Sequence, residues 1–272
     1  MKQRVWLQLA FISSIAFFGI VHAQELEEQY QKLGKEEALK FAEKCDIAVQ
    51  SFYSLGIHKI ALNWANISMK LREKYLPSDH PDLALSLNNV GVLLQAKGDD
   101  KSAEPLHRRA LEIREKVFGK DHPEVAESLN NLATALYKKG DYENAEPLFR
   151  STLEIIEKAV GQEHPYVAMT LNNLAELLYK KGDYENAEPL HRRALEIREK
   201  VLGKSHPDLA MSLNNLAALL QTKGDYENSE PLFRRSLEII EKSFGKRHPN
   251  VALTLNNLAE LLYKKGDYEN AE

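Results

Sequence analysis

Apolar and polar residues alternate along most of the chain with the period of an α-helix. Around residue 170, leucine and alanine recur every three or four positions, and a second series of this kind follows after a short polar break. Such spacing places the apolar side chains of each segment on one face of a helix. We therefore predict two consecutive helices, with buried stripes at Leu171, Leu174, Ala175 and Leu178 in the first and at Ala187, Ala194, Leu195 and Ile197 in the second.

Short polar sequences mark where these two helices begin and end. Pro165 suits the first helical position, where its missing N–H costs nothing, and His164 stands at the cap before it. Gly182 can take the left-handed backbone of a C-terminal cap, and Asp183 can accept from the free N–H groups that open the second helix. Pro189 lies in the second turn of that helix, where we expect a bend.

The helix pair is one copy of a repeat. Three motifs return at a constant step of 42 residues (122 − 80 = 42 for the first), and such a period indicates stacked supersecondary units. The motifs are His-Pro from His80, His122, His164, His206 and His248; Leu-Asn-Asn from Leu87, Leu129, Leu171, Leu213 and Leu255; and Gly-Asp from Gly98, Gly140, Gly182, Gly224 and Gly266.

A second period, twice as long, lies within the second helices. His107 and His191 alternate with Phe149 and Phe233, and two arginines alternate with two isoleucines in the same way. The copied unit is therefore a pair of repeats, 84 residues long (191 − 107 = 84). The alternating arginines are Arg114 and Arg198, and the isoleucines are Ile156 and Ile240.

The first 23 residues differ from the rest of the chain. Lys2 and Arg4 precede an apolar run from Val5 to Val21, and Ala23 ends the segment. This pattern predicts a secretory signal peptide and an exported, periplasmic or secreted protein. The alternative is an uncleaved membrane anchor, although the run is shorter than the ~20 residues that cross a bilayer comfortably.

Charge and cysteine content narrow the classes of partner. With 36 basic and 40 acidic side chains the formal charge is −4, which lacks the basic excess that nucleic acid binding requires. Cys45 is the single cysteine, so the protein forms no internal disulfide and must be stabilised by packing. We expect Cys45 to be a small buried side chain rather than a reactive thiol.

The repeat motif resembles that of a known family. Leu171, Leu174, Ala175, Leu178, Gly182, Tyr184, Ala187 and Ala194 fall on the spacing of the tetratricopeptide repeat, and the 42-residue form resembles the repeats of kinesin light chains and their bacterial relatives. The resemblance implies an all-α fold, a right-handed superhelical solenoid of antiparallel helix pairs. It covers residues 80–272 closely and residues 25–79 weakly.

The predicted organisation follows from the repeat boundaries. We expect a signal peptide at 1–23, a degenerate N-terminal repeat and cap at 24–79, and tandem repeats at 80–121, 122–163, 164–205, 206–247 and 248–272. The last of these stops before a full second helix, so we expect that the sequence is a fragment of a longer protein or a truncated gene product.

The side of each first helix opposite its apolar stripe is the candidate binding surface. Asparagine amides both donate and accept, and tyrosine adds apolar area with a terminal hydroxyl, so stacked rows of these residues could hold an extended peptide. The alternative is that one asparagine of each pair only links neighbouring helices. The predicted groove residues are Asn88, Asn130, Asn172, Asn214, Asn256, Tyr137, Tyr179, Tyr263, Lys138, Lys180, Lys264 and Glu176.

Catalysis, metal binding and cofactors are not indicated. The cap histidines lie one repeat apart, without the clustered spacing of metal ligands, and no phosphate-binding loop or nucleophile motif is present. His107 and His191 take the position of phenylalanines in other repeats, which favours a packing role.

The sequence thus predicts a non-catalytic scaffold that binds proteins or peptides in the concave groove. Two alternatives remain open: the chain is the docking or sensor arm of a larger enzyme, or its similar repeats associate with a second copy. As in the family it resembles, fold alone does not name the partner.

Overall fold

The computed structural model describes residues 32–271, and the predicted signal peptide lies outside them. Within this range the chain forms twelve α-helices and no β-strand. The helices are α1 (Lys35–Ser54), α2 (His58–Tyr75), α3 (Pro81–Ala96), α4 (Asp100–Phe118), α5 (Pro123–Lys138), α6 (Tyr142–Val160), α7 (Pro165–Lys181), α8 (Tyr184–Leu202), α9 (Leu209–Thr222), α10 (Tyr226–Phe244), α11 (Pro249–Lys265) and α12 (Tyr268–Ala271).

The predicted caps are present where α7 and α8 begin and end. The His164 side chain accepts from the Tyr166 amide at 3.2 Å, and Asp183 accepts from the Asn186 amide at 3.3 Å. Gly182 closes α7 with φ 82°, in the left-handed region. These local bonds satisfy backbone groups that helix ends leave free, which explains why the boundaries can be predicted from the sequence.

One helix departs from the repeat pattern at its start. α9 begins at Leu209, because Pro207 and Asp208 form a turn in which the Ala210 amide donates to the Pro207 carbonyl at 3.0 Å. Pro189 leaves α8 continuous from Tyr184 to Leu202, so the proline does not break the helix.

The described chain divides into two compact units, residues 32–145 and 146–271. In the first unit, α1 to α5 pack against one another in sequence order; in the second, the same holds for α7 to α12. Because links such as Gly182-Asp183 are only two residues long, consecutive helices run antiparallel.

The core of each unit lies between successive helix pairs. In the first unit, Cys45, Phe52 and Trp64 pack with Val90 and Leu93, and Cys45 is fully buried as predicted. Burial also raises the pKa of the Cys45 thiol, which leaves it protonated and unreactive. In the second unit, Leu213, Leu216 and Leu220 pack against Ile239 and Ile240.

Candidate functional site

The first asparagine of each pair is drawn into contacts between helices. Asn88 and Asn172 are only 2% and 5% exposed. The ring of His107 lies with Nδ1 at 2.9 Å from the Asn88 Oδ1, and His191 makes the same contact with Asn172 at 3.0 Å. The other end of the Asn172 amide donates to the Ser212 hydroxyl at 3.2 Å. Both ends of that amide are therefore used within the protein.

The alternation of histidine and phenylalanine changes the asparagine of the next repeat. Phe233 takes the place of His191 and brings no hydrogen-bond donor. The Asn214 Nδ2 donates to the Ser236 and Thr254 hydroxyls, both at 2.9 Å, while its Oδ1 is buried without a partner. Asn214 is also less buried than Asn88 and Asn172 and lines the cavity described below.

These contacts bear on part of the predicted groove. The amides of Asn88 and Asn172 are buried and bonded to the histidine rings, so a peptide would have to displace those bonds to reach them. Peptide binding by these two asparagines stays a prediction. Asn130 is also buried, at 8% exposure. The second asparagines, Asn215 and Asn257, instead reach the cavity of the second unit.

The second unit contains an open cavity of about 750 Å³, which we call the second-unit groove. Its apolar lining includes Met169, Met211 and Leu253 from the first helices of three successive repeats, and Phe244 from the end of α10. Met211 is 62% exposed and Leu253 57% exposed, so large apolar groups face solvent here. Solvated apolar area of this kind is typical of a binding surface.

Arg198 brings a positive charge into this groove. Arg198 and Asp208 are the only ionisable residues among those that line it in the described chain. The guanidinium of Arg198 donates to the Ser212 hydroxyl, and no carboxylate of the described residues lies within ion-pairing distance of it. Burial lowers the pKa of Arg198, an effect that the charge of Asp208 opposes. An arginine remains protonated under such a shift.

The equivalent arginine of the first unit is neutralised by its own chain. Arg114, 84 residues earlier, pairs with Glu124 at 2.9 Å and with Glu127 at 3.1 Å, and also donates to the Ser128 hydroxyl. The position of Glu127 is taken by Met211 in the second unit (127 + 84 = 211). The second partner, Glu124, corresponds to the shorter Asp208 (124 + 84 = 208), which forms no ion pair with Arg198. Arg198 is therefore available to an external anion, whereas Arg114 is occupied.

A smaller cavity of about 190 Å³ adjoins the groove and shares Asn215 and Ala218 with it. Glu176, Tyr179 and Lys180, three predicted groove residues, line this cavity together with His191. The Tyr179 hydroxyl lies 3.0 Å from the Thr222 hydroxyl, and its ring is 5.4 Å from that of Tyr184. The structure therefore brings part of the predicted set together at one place.

The remaining predicted residues are placed separately. In the first unit, Tyr137 is half-buried beside Tyr142, with ring centres 5.6 Å apart, and Lys138 lies 3.9 Å from Asp100. At the other end of the described chain, Asn256 and Tyr263 are exposed, and Lys264 pairs with Glu260 at 2.7 Å. Binding by these residues stays a prediction.

Two kinds of groove residue escaped the sequence analysis. The apolar residues at positions 169, 211 and 253 were missed because they lie beside the core stripe and resemble part of it. The difference between Arg198 and Arg114 could have been found by comparing residues 127 and 211, which occupy the same position of the repeat. The exchange of the charged Glu127 for the apolar Met211 is the sequence feature that indicates it.

The described residues show no metal-binding group and no membrane-spanning helix. Among residues 32–271, no three histidine, cysteine, aspartate or glutamate side chains come together to hold a metal ion. In the same range, none of the helices has the length and apolar character needed to cross a bilayer.

The described chain consists of repeated helix pairs joined by short links, with the second-unit groove open to solvent. This arrangement is typical of helical-repeat scaffolds. The tetratricopeptide repeat model matches residues 50–116, 82–158, 166–227 and 208–272, and the chain belongs to that family. The prediction of family and fold is thereby confirmed.

Several solved structures share the fold. The crystal structure of BtubC (BKLC) from P. vanneervenii has a TM-score of 0.63 and 23% identity, and the match covers 88% of this chain and 87% of that one. A putative kinesin light chain from Podosopora anserina with nearly identical TPR-like repeats has a TM-score of 0.62 and 23% identity, and the match covers 74% of this chain and 96% of that one. The apo form of RapI has a TM-score of 0.68 and 17% identity, and the match covers 92% of this chain and 85% of that one. No curated protein matches the sequence.

Proposed function

We propose that the protein is a non-catalytic adaptor that binds peptide segments of other proteins in the second-unit groove. The observation that carries this proposal is Arg198, which forms no ion pair with a carboxylate of the described residues, in a solvated cavity with large exposed apolar side chains. The tetratricopeptide repeat is a scaffold typical of protein–protein interaction, and supports this class of function.

The lining of the groove favours a segment with an acidic side chain beside large apolar ones. Burying a leucine- or phenylalanine-sized side chain against Met169, Met211 and Leu253 contributes about 1.5–3 kcal/mol. A carboxylate placed at Arg198 gains a charge-assisted hydrogen bond, the stronger kind in a partly buried site. The amides of Asn215 and Asn257 can pair with the backbone of the bound segment.

Binding of a defined probe tests the proposal. An array of 12-residue peptides carrying one Asp between leucine and phenylalanine residues would be screened against the purified protein, and the best binder compared with its Asp-to-Asn form by fluorescence anisotropy. We expect the Asp peptide to bind more tightly by about tenfold, which corresponds to the loss of one charged hydrogen bond. Equal affinities of the two peptides would contradict a role for the arginine.

Two variants with the same change of charge separate the groove from general electrostatics. Arg198→Gln removes the cation from the groove, while Arg192→Gln removes an exposed one from the same helix, α8. The first is expected to weaken binding of the Asp peptide about tenfold and to leave the Asn peptide unchanged. The second should affect neither, once circular dichroism shows that both variants are folded.

We also propose that the chain is exported through residues 1–23, as their charged start and apolar run predict. Expression of the full chain in a bacterial host, followed by fractionation and N-terminal sequencing, tests this. A mature protein beginning at Gln24 outside the cytoplasm is the expected result. Retention of the intact chain in the cytoplasm would reject it.

A further inference from the structure

Two of the four methionines of the chain lie in the second-unit groove. Met169 and Met211 occupy the same position of successive repeats (211 − 169 = 42), and both line the cavity of about 750 Å³. Their exposed fractions are 37% and 62%, so solvent reaches both side chains. Met69 is different, since it is half-buried against the apolar clusters of the first unit.

The apolar lining does not itself require sulfur. The same repeat position carries Leu85 in the first unit and Leu253 in the second. Leucine and methionine have similar volumes, and exchanges between them usually cost little stability. The chain therefore supplies its own sulfur-free replacement for Met169 and Met211.

We propose that Met169 and Met211 form an oxidation site that controls peptide binding in the groove. The co-reactant is a peroxide such as hydrogen peroxide. The thioether sulfur attacks one peroxide oxygen, the O–O bond breaks, and the sulfoxide and water are formed, so that sulfur loses the two electrons that the peroxide gains. Sulfoxide reductases can reverse this step. The inference rests on the proposed function of the groove.

Oxidation acts on both features that recognise the peptide. A sulfoxide is polar, so it removes apolar area from the side of the groove that holds leucine or phenylalanine. Its oxygen is also a hydrogen-bond acceptor in the cavity that contains Arg198. There it would compete with the carboxylate of the peptide for the guanidinium. Both effects weaken binding.

The first measurement follows the chemistry without any ligand. The full-length protein would be treated with hydrogen peroxide and digested, and the sulfoxide at each methionine quantified by mass spectrometry over time. We expect Met211 to react fastest, Met169 next and Met69 slowest, in the order of their exposure. Bound Asp peptide should slow the reaction of Met169 and Met211 but not of Met69. Equal oxidation rates at the three methionines would contradict the proposed oxidation site at Met169 and Met211.

The second measurement follows binding of the Asp peptide before and after oxidation. The affinity of the wild-type protein should fall about tenfold and return after treatment with methionine sulfoxide reductases. The double variant Met169→Leu, Met211→Leu, compared with its own untreated sample, should show the same affinity before and after peroxide, whereas Met69→Leu should lose affinity on oxidation as the wild type does. Unchanged affinity of fully oxidised wild type overturns this inference alone. Failure of the reduced protein to bind the peptide overturns the proposed function, and this inference with it.

Discussion

His107 is buried among neutral amides in the first unit. Its Nδ1 lies 2.9 Å from the Asn88 Oδ1, and its Nε2 lies 3.1 Å from the Gln95 Oε1. Burial lowers the pKa of His107 from its ordinary 6.5 to about 4, and the nearby charge of Arg114 adds to this. His191 in the second unit has its pKa lowered to about 4 as well, for the same first cause.

The shifted histidines predict a loss of stability in mild acid. Each imidazole binds a proton near pH 6.5 in the unfolded chain but only near pH 4 in the folded one. The stabilisation is therefore complete above about pH 6.5 and is lost as the pH falls from there through about 4. Each histidine should lower the free energy of unfolding by about 2 kcal/mol between pH 7.5 and pH 5.

The variant His107→Phe, which copies Phe149 and Phe233, should remove about half of this pH dependence. Urea unfolding followed by circular dichroism at the two pH values measures it. If His107→Phe and wild type show the same difference between pH 7.5 and pH 5, the buried histidine is not the cause.

Gly91 makes room for the ring of His107. A Cβ added there would lie 2.5 Å from the His107 Cε1, closer than any real contact allows. Gly91→Ala should therefore displace the ring from Gln95 and cost about 1–3 kcal/mol of stability. Gly34→Ala, with nothing within 4 Å of its added Cβ and an ordinary φ of −66°, is the control, and should cost clearly less in the same urea unfolding. Equal losses would show that the contact with His107 is unimportant.

At the scale of helices, repeats are joined by a ladder of bridging glutamates. In the second unit, Glu188 accepts from Arg192 one turn along α8 at 2.7 Å, and from Lys223 at the end of α9, also at 2.7 Å. Glu230 makes the equivalent pair of contacts with Arg234 and Lys265. The bond from Lys223, then that from Arg192, lowers the pKa of Glu188.

Removing one bridge should weaken the contact between neighbouring helix pairs. Glu188→Gln is expected to cost about 1 kcal/mol, since this bridge is only partly exposed to screening by solvent. Because the pKa of Glu188 is lowered, its contribution to the free energy of unfolding is present above the ordinary glutamate pKa and is lost as the pH falls through its pKa in the folded protein. Thermal unfolding at pH 7 measures the effect, with exposed Glu196→Gln on the same helix as the control. Similar melting temperatures for the two variants would argue against the bridge.

At the scale of the whole molecule, the two units differ in the charge that they offer. Glu124 and Glu127 already neutralise Arg114 in the first unit, whereas Arg198 in the second has no such partner. Acidic peptides should therefore bind the second unit. This difference between units comes with two exchanges at equivalent positions of the repeat, Glu127 for Met211 and Glu124 for the shorter Asp208.

A glutamate placed at the equivalent position of the second unit should neutralise Arg198 and so weaken peptide binding. Met211→Glu is expected to pair with Arg198 and to weaken binding of the Asp peptide about tenfold, whereas Met211→Gln, similar in size but uncharged, should weaken it much less. Fluorescence anisotropy with the peptide used above measures both. Equal binding by the two variants would show that the carboxylate of the peptide does not use Arg198.

The sequence by itself determined the elements and their order. His164, Asp183 and Gly182 act on backbone groups only a few residues away, and the apolar stripes depend on the helical period alone. For that reason the helix boundaries, the repeat and the family could all be predicted from the printed chain. The one shifted start, at Leu209, follows a local turn that its His-Pro motif does not reveal.

Only the tertiary structure decided which side chains of each repeat are available to a ligand. Asn172 is buried and Asn215 reaches the groove because of residues on other helices, His191 above all. Arg198 is open because, on the next helix pair, residue 211 is a methionine and Asp208 does not pair with it. Burial and charge pairing depend on neighbours that are distant along the chain, and the position within a helix does not specify them.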